Sequence, residues 1–190
     1  EKAIQIYLKM EKEGFRTEGF YYNFHTCLLQ TEAYGHAEKL SKKLQKKHPN
    51  NVRYIADLGF IYQAQKRNKQ ANKQFQKAIN TLQKNKAHAV NSLAKIFSNK
   101  NAFEWALKTF REGQVLFPEY EFGYQLANLY RNMGETEKMI DSYIELIERL
   151  PSSRQNIQNT LQNTLGRTKG NGDNFELLQK HLIKKIQKNN

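Results

Sequence analysis

The stretch LGFIYQAQKRNKQANKQFQKA, residues 58–78, and its echo LAKIFSNKNAFEWALKTFREGQVLFP, residues 93–118, decide the fold. In the first, Leu58, Ile61 and Tyr62 continue a stripe begun at Ile55. Polar residues from Gln65 to Lys69 interrupt it, and Ala71, Phe75, Ala78, Ile79 and Leu82 begin a second stripe. Side chains three and four positions apart share one face of a helix, whereas a strand would alternate them. The pattern therefore reads helix, short turn, helix. Neither helix can bury its stripe alone, so each needs its partner and a neighbouring pair.

The same positions return along the chain at intervals of roughly 34 residues, the period of a stacked helical repeat. An apolar residue recurs at Phe24, Leu58, Leu93 and Leu126, followed four residues later by Leu28, Tyr62, Phe97 and Tyr130. Ala37, Ala71, Ala106 and Met139 come next, and small residues there predict close helix approach. Pro49, Pro118 and Pro151 close three of the four repeats, where proline cannot continue a helix but can begin a turn. Gly134 sits where a helix needs a left-handed residue to end.

Leu58-Gly59, Tyr62, Ala71, Phe75 and Ala78 together resemble the tetratricopeptide repeat (TPR) family. So do Leu93-Ala94, Phe97, Ala106, Phe110, Gly113 and Pro118, and Leu126-Ala127, Tyr130, Gly134, Tyr143 and Pro151. The repeat Phe24, Leu28, Ala37, Leu44 and Pro49 fits more loosely, with Ser41 where an aromatic is usual. Gln83 replaces a closing proline and Met139 a small residue. The resemblance implies an all-α fold: a right-handed α-α superhelix, or solenoid, of helix-turn-helix repeats with about eleven helices.

Residues 1–151 read as the repeat array. Ala3, Ile4 and Tyr7 fit the second helix of a repeat whose first helix precedes Glu1, so the sequence reads as a piece of a longer chain. Residues 152–190 read as a capping helix pair: Ile157, Leu161 and Leu165 on one helix, a polar loop from Gly166 to Asp173, then Phe175, Leu178, Leu182 and Ile186 on the other. An array end without such a cap would expose its apolar stripe.

Charge is unevenly spread. The net charge is +13, yet residues 51–100 hold ten basic residues and one acidic, while residues 101–150 sum to −4. Such asymmetry suits an acidic partner or self-association. No apolar span reaches the length of a transmembrane helix. The single cysteine, Cys27, excludes an internal disulfide framework and reads as a core hydrophobe.

Motifs for chemistry are missing. The five histidines, His25, His36, His48, His88 and His181, lack metal-ligand spacing. No HExxH, paired CxxC, GxSxG or Walker-type loop occurs. The expectation is therefore a non-enzymatic chain with no catalytic, metal or cofactor site.

The family resemblance implies instead a protein partner, an extended peptide or a helix, held in a concave groove lined by the first helix of each repeat. Carrying over the family's inward positions gives Arg53, Phe60, Asn91, Lys95, Tyr124, Asn128 and Arg131 as partner contacts, with Tyr22 and Thr26 in the first repeat. Asn side chains can bond a peptide backbone in both directions, and Lys95 and Arg131 suit carboxylates. The two-carboxylate clamp of some family members needs Lys, Asn and Arg in an order that Asn91 and Lys95 reverse. Two alternatives stay open: single-stranded RNA binding, since residues 1–27 resemble a pentatricopeptide unit, and a structural spacer in a larger complex. A ridge of Lys66, Lys69, Lys73 and Lys77 is expected on the outer face.

Overall fold

The computed structural model describes residues 2–165. Among them there is no strand; ten α-helices and two short 3-10 turns make up the regular structure. The chain divides into two compact units with the boundary between Lys100 and Asn101, inside the third repeat.

The N-terminal unit contains α1 (Lys2–Lys12), α2 (Thr17–Gln30), α3 (Tyr34–Lys47), α4 (Val52–Ala64), α5 (Asn68–Asn80) and α6 (His88–Ser98). Each of the first four packs on its successor, and α4 packs also on α6. That last contact, between helices two apart in sequence, is what stacks one repeat on the next. The C-terminal unit contains α7 (Phe103–Leu116), α8 (Gly123–Met133), α9 (Thr136–Arg149) and α10 (Arg154–Leu165), again packed consecutively.

The small positions behave as the repeat predicts: Ala37, Ala71, Ala106 and Met139 are all 2% exposed or less. Gly59 shows why size matters there. A Cβ on Gly59 would lie 2.4 Å from Phe75 Cε1, so α4 and α5 touch through a missing side chain. Phe75 has nowhere to retreat, because its ring packs 4.7 Å from Phe60 and 5.2 Å from Phe97, centroid to centroid.

The turns inside the repeats share one device that the sequence displays only once. Glu32, Lys66, Asn101 and Gly134 all have positive φ, 33 to 35 residues apart. At Gly134 the N–H of Glu135 donates to Tyr130 O at 3.0 Å and the N–H of Gly134 to Arg131 O at 3.1 Å, closing the helix in a Schellman motif. The same pair of bonds recurs from Ala33 and Glu32 to Leu28 and Leu29, and from Arg67 and Lys66 to Tyr62 and Gln63. Three of the four repeats thus accept the strain of a left-handed L-residue to make the turn.

The three prolines each stand two residues beyond a second helix, at Pro49, Pro118 and Pro151. Where Gln83 replaces proline, nothing blocks helical backbone, and α5 runs on into a 3-10 turn over Thr81–Lys84. A polar hub joins the first two repeats: Glu38 on α3 accepts from Tyr62 Oη at 3.2 Å and from Arg67 Nη1 at 3.1 Å, while the Arg67 guanidinium lies 4.3 Å over the Tyr62 ring.

Beyond α9, Ile157 and Leu161 of α10 are buried against Ala127, Met139, Ile140 and Tyr143. α10 lies in the stretch where the first helix of the capping pair is expected. The loop from Gly166 and the helix of Phe175, Leu178, Leu182 and Ile186 lie outside the described residues. Trp105 is half-buried with Lys108 Nζ 5.2 Å over its ring, and Cys27 is half-buried rather than in the core.

Two substitutions read these constraints. Gly59→Ala gains about 1 kcal/mol of helix propensity but overpacks against Phe75 at a cost of about 1–3 kcal/mol. The expected net result is a lower melting temperature by circular dichroism, and a higher one would contradict the close approach. Lys66→Gly relieves the left-handed strain and should raise stability by up to about 1 kcal/mol in urea unfolding.

Candidate binding site

The first helices α2, α4 and α6 of the N-terminal unit enclose a depression of about 470 Å³. Tyr22, His25, Thr26, Leu29 and Gln30 line it from α2, Arg53, Asp57 and Phe60 from α4, and Ser92, Lys95 and Ile96 from α6, with Asn99 and Lys100 just beyond. The amphipathic register explains the convergence. Residues four apart on each first helix, such as Arg53 and Asp57, or Ser92 and Ile96, come round to the same side.

Of the contacts expected from sequence, Arg53, Phe60 and Lys95 meet here, as do Tyr22 and Thr26. Phe60 contributes from the floor, 7% exposed and stacked into the Phe75 and Phe97 cluster. Arg53 sits at the rim, its guanidinium 5.9 Å over the exposed Tyr22 ring. Asn91 is half-buried on α6 and does not line the depression. Tyr124, Asn128 and Arg131 stand on α8 of the C-terminal unit; Asn128 and Arg131 are exposed, and Tyr124 packs edge-on against Tyr143. The ridge lysines Lys69, Lys73 and Lys77 do not line the depression, nor does Lys66. Lys77 Nζ donates to Gln45 Oε1 at 3.2 Å, tying the outer sides of α3 and α5.

Among the lining residues that escaped the sequence reading are two titratable groups, Asp57 and His25. Asp57 is the one acidic residue among residues 51–100, and it is 7% exposed. Its Oδ2 accepts a hydrogen bond of 2.9 Å from Tyr21 Oη, and Ser41 Oγ lies 3.2 Å from that same hydroxyl, so three helices share one polar knot. Burial pushes the Asp57 carboxyl above its ordinary value, against the opposing pull of His25 and of the Tyr21 hydrogen bond. Burial likewise raises the Tyr21 phenol.

His25 is 7% exposed, its ring 5.3 Å from that of Tyr21. Its Nε2 is buried and has no hydrogen-bond partner among the described residues. Burial holds the imidazole below its ordinary value, with Asp57 opposing and Lys100 and Arg53 reinforcing. The signal for Asp57 was its isolation among ten cations, since a lone acid inside a basic stretch has a local reason to be there.

Elsewhere in the unit, Glu18 accepts from Lys47 Nζ at 2.7 Å and lies 2.9 Å from His48 Nε2, which clips α2 to the end of α3. The Lys47 bond, then the His48 bond, hold its carboxyl down at about 2.

The two carboxylates give opposite pH dependences. Glu18 is depressed in the fold, so its contribution is present above its ordinary 4.5 and is lost as pH falls through about 2. Asp57 is raised in the fold, so its contribution is present below its ordinary 3.8 and is lost as pH rises through the folded value. Thermal melts against pH should therefore show Glu18→Gln flattening the acid limb. Asp57→Asn, which can still accept from Tyr21, should remove the loss on the higher-pH side. Identical pH profiles for wild type and Asp57→Asn would refute the buried-acid assignment.

Residues 122–153, which span α8 and α9, match the tetratricopeptide repeat family. No curated protein matches the chain. Among solved structures, the chain is similar to a crystal structure of MamA, at 21% identity over 86% of this chain and 95% of that one, with a TM-score of 0.43. It is similar to a thermophilic TPR protein of Thermus thermophilus, at 16% identity over 86% and 89%, with a TM-score of 0.43. A third likeness is to the C-terminal part of a TPR repeat-containing protein of Cytophaga hutchinsonii, at 16% identity over 95% and 73%, with a TM-score of 0.42. No helix among the described residues is long and apolar enough to cross a membrane.

Proposed function

We propose that the chain, whose residues 122–153 match the tetratricopeptide repeat family, is a non-enzymatic scaffold binding an extended peptide or helix of an acidic partner. Arg53, Phe60 and Lys95 make the contacts in the N-terminal unit, with Asn91 beside them. Tyr124, Asn128 and Arg131 offer a second set on α8.

The depression over α2, α4 and α6 is the observation that carries this reading. It combines a buried aromatic floor, which supplies desolvated contact area, with cations at the rim, which supply charge selection. Its donors suit backbone carbonyls and carboxylates alike. An array of this kind presents a surface rather than an enclosed reaction chamber.

A displayed library of unstructured peptides, selected on the folded chain, tests the proposal. Selected sequences should be rich in Asp and Glu, and their binding should weaken as salt rises. Lys95→Ala and Arg53→Ala should each lower affinity several-fold, whereas Lys69→Ala with Lys73→Ala should leave it unchanged. If the ridge variants abolish binding and the groove variants do not, the partner uses the outer face and the groove proposal fails. Tight binding of single-stranded RNA with a steep salt slope would favour the pentatricopeptide-like alternative instead.

A further inference from the structure

We infer that the depression over α2, α4 and α6 seats a carboxylate of the bound peptide on His25, where the first repeat has exchanged an apolar contact for a polar one. The inference rests on the peptide-scaffold reading above and names the group recognised.

The repeat register exposes the exchange. In the second, third and fourth repeats, Gly59, Ala94 and Ala127 occupy one position of the first helix, and Phe75, Phe110 and Tyr143 occupy one position of the second. In the second repeat these two positions meet as a single contact, the Phe75 ring filling the space a Cβ on Gly59 would take. The first repeat reverses the sizes. His25 stands at the small position and Ser41 at the aromatic one. Both are buried, His25 at 7% and Ser41 at 0% exposed.

Burying polar groups costs free energy unless each finds a partner. Ser41, Tyr21 and Asp57 satisfy one another. The His25 Nε2 does not, and His25 lines the depression. A polar substitution of an apolar packing pair that leaves one nitrogen open under a depression is a built feature of the first repeat. No other repeat has a polar residue at both positions.

The surrounding charges select the ligand group. Arg53 from α4, and Lys95 and Lys100 from α6 and just beyond it, line the same depression. Asp57 is the one acid there. Its Oδ2 is committed to Tyr21, and burial favours its neutral form. Tyr22, Thr26, Gln30, Ser92 and Asn99 are uncharged. An ammonium or guanidinium ligand would meet three like charges, and a neutral amide could accept hydrogen bonds from them but would gain no ion pair. A carboxylate gains both a charge-assisted bond from Nε2–H and the three cations. Burial favours the neutral His25 ring, and a bound carboxylate selects the tautomer that carries its proton on Nε2, which then donates to it.

Histidine-labelled protein in a nuclear magnetic resonance titration tests the assignment with three small probes. N-acetylglutamate N-methylamide carries a side-chain carboxylate, N-acetylalanine carries a chain-terminal one, and N-acetylglutamine N-methylamide is the neutral control. A saturable shift of the His25 imidazole is expected with at least one carboxylate and not with the glutamine probe. The carboxylate that binds more tightly identifies the source. Lys95→Ala with Lys100→Ala should weaken that binding about tenfold, in line with losing a charged hydrogen-bonding partner.

No saturable shift with either carboxylate, or an equal response to the glutamine probe, overturns the inference; this reading needs only the wild-type protein. A selected peptide whose affinity is unchanged in folded His25→Phe also overturns it while leaving the scaffold reading intact. Failure to select any peptide removes the scaffold reading and this inference together.

Discussion

Helices α4 and α5 lie as close as they do because Gly59 has no side chain where the Phe75 ring sits. The rest of the N-terminal unit builds on that contact. With Phe75 seated, its ring meets Phe60 and Phe97, so one aromatic side chain ties three helices from two successive repeats. The stacking of α4 on α6 and the depression over them follow from this spacing, since Phe60 is at once part of the cluster and the floor of the depression.

The first repeat shows that the contact can be rewritten. His25 and Ser41 invert the small and large partners and bring in polarity, and Tyr21 and Asp57 complete a buried network across α2, α3 and α4. Such a network specifies one arrangement of the helices, because any slip would strand a buried donor or acceptor. Glu38, Tyr62 and Arg67 perform a related task nearer the surface, where each interaction is worth less but the three together fix the turn between α4 and α5. Charge is distributed to the same end: the one acid of residues 51–100 is buried, so the groove and the outer ridge present cations.

The repeat itself was legible in the sequence because it rests on local periodicity. Apolar spacing marked the helix pairs, Ala71 and Ala106 marked close approach, and the prolines marked the ends of the second helices. The family resemblance, carried over in the repeat register, placed Arg53, Phe60 and Lys95 on the inward side of the first helices, and they meet at the depression. The turn residues were harder. Gly134 announces a left-handed conformation, but Glu32, Lys66 and Asn101 adopt it with ordinary side chains. There the flanking helices impose the geometry and outweigh a strain of about 1–2 kcal/mol per residue.

The all-helical repeat and its period could be read before any packing was known, since they depend on residues three, four and about 34 positions apart along one chain; the inward positions came from the family resemblance laid on that period. Which polar residues are buried together was settled only when the helices packed. Tyr21, Ser41 and Asp57 are linked across 20 and 36 positions, and nothing in their spacing declares a hydrogen bond. His25 reads in sequence as one of five scattered histidines. Only the packing of α2 against its neighbours removes its ring from water and leaves its Nε2 without a partner among the described residues, beneath the depression. Periodicity assigns a residue to a face, but desolvation depends on what the opposite helix brings to it.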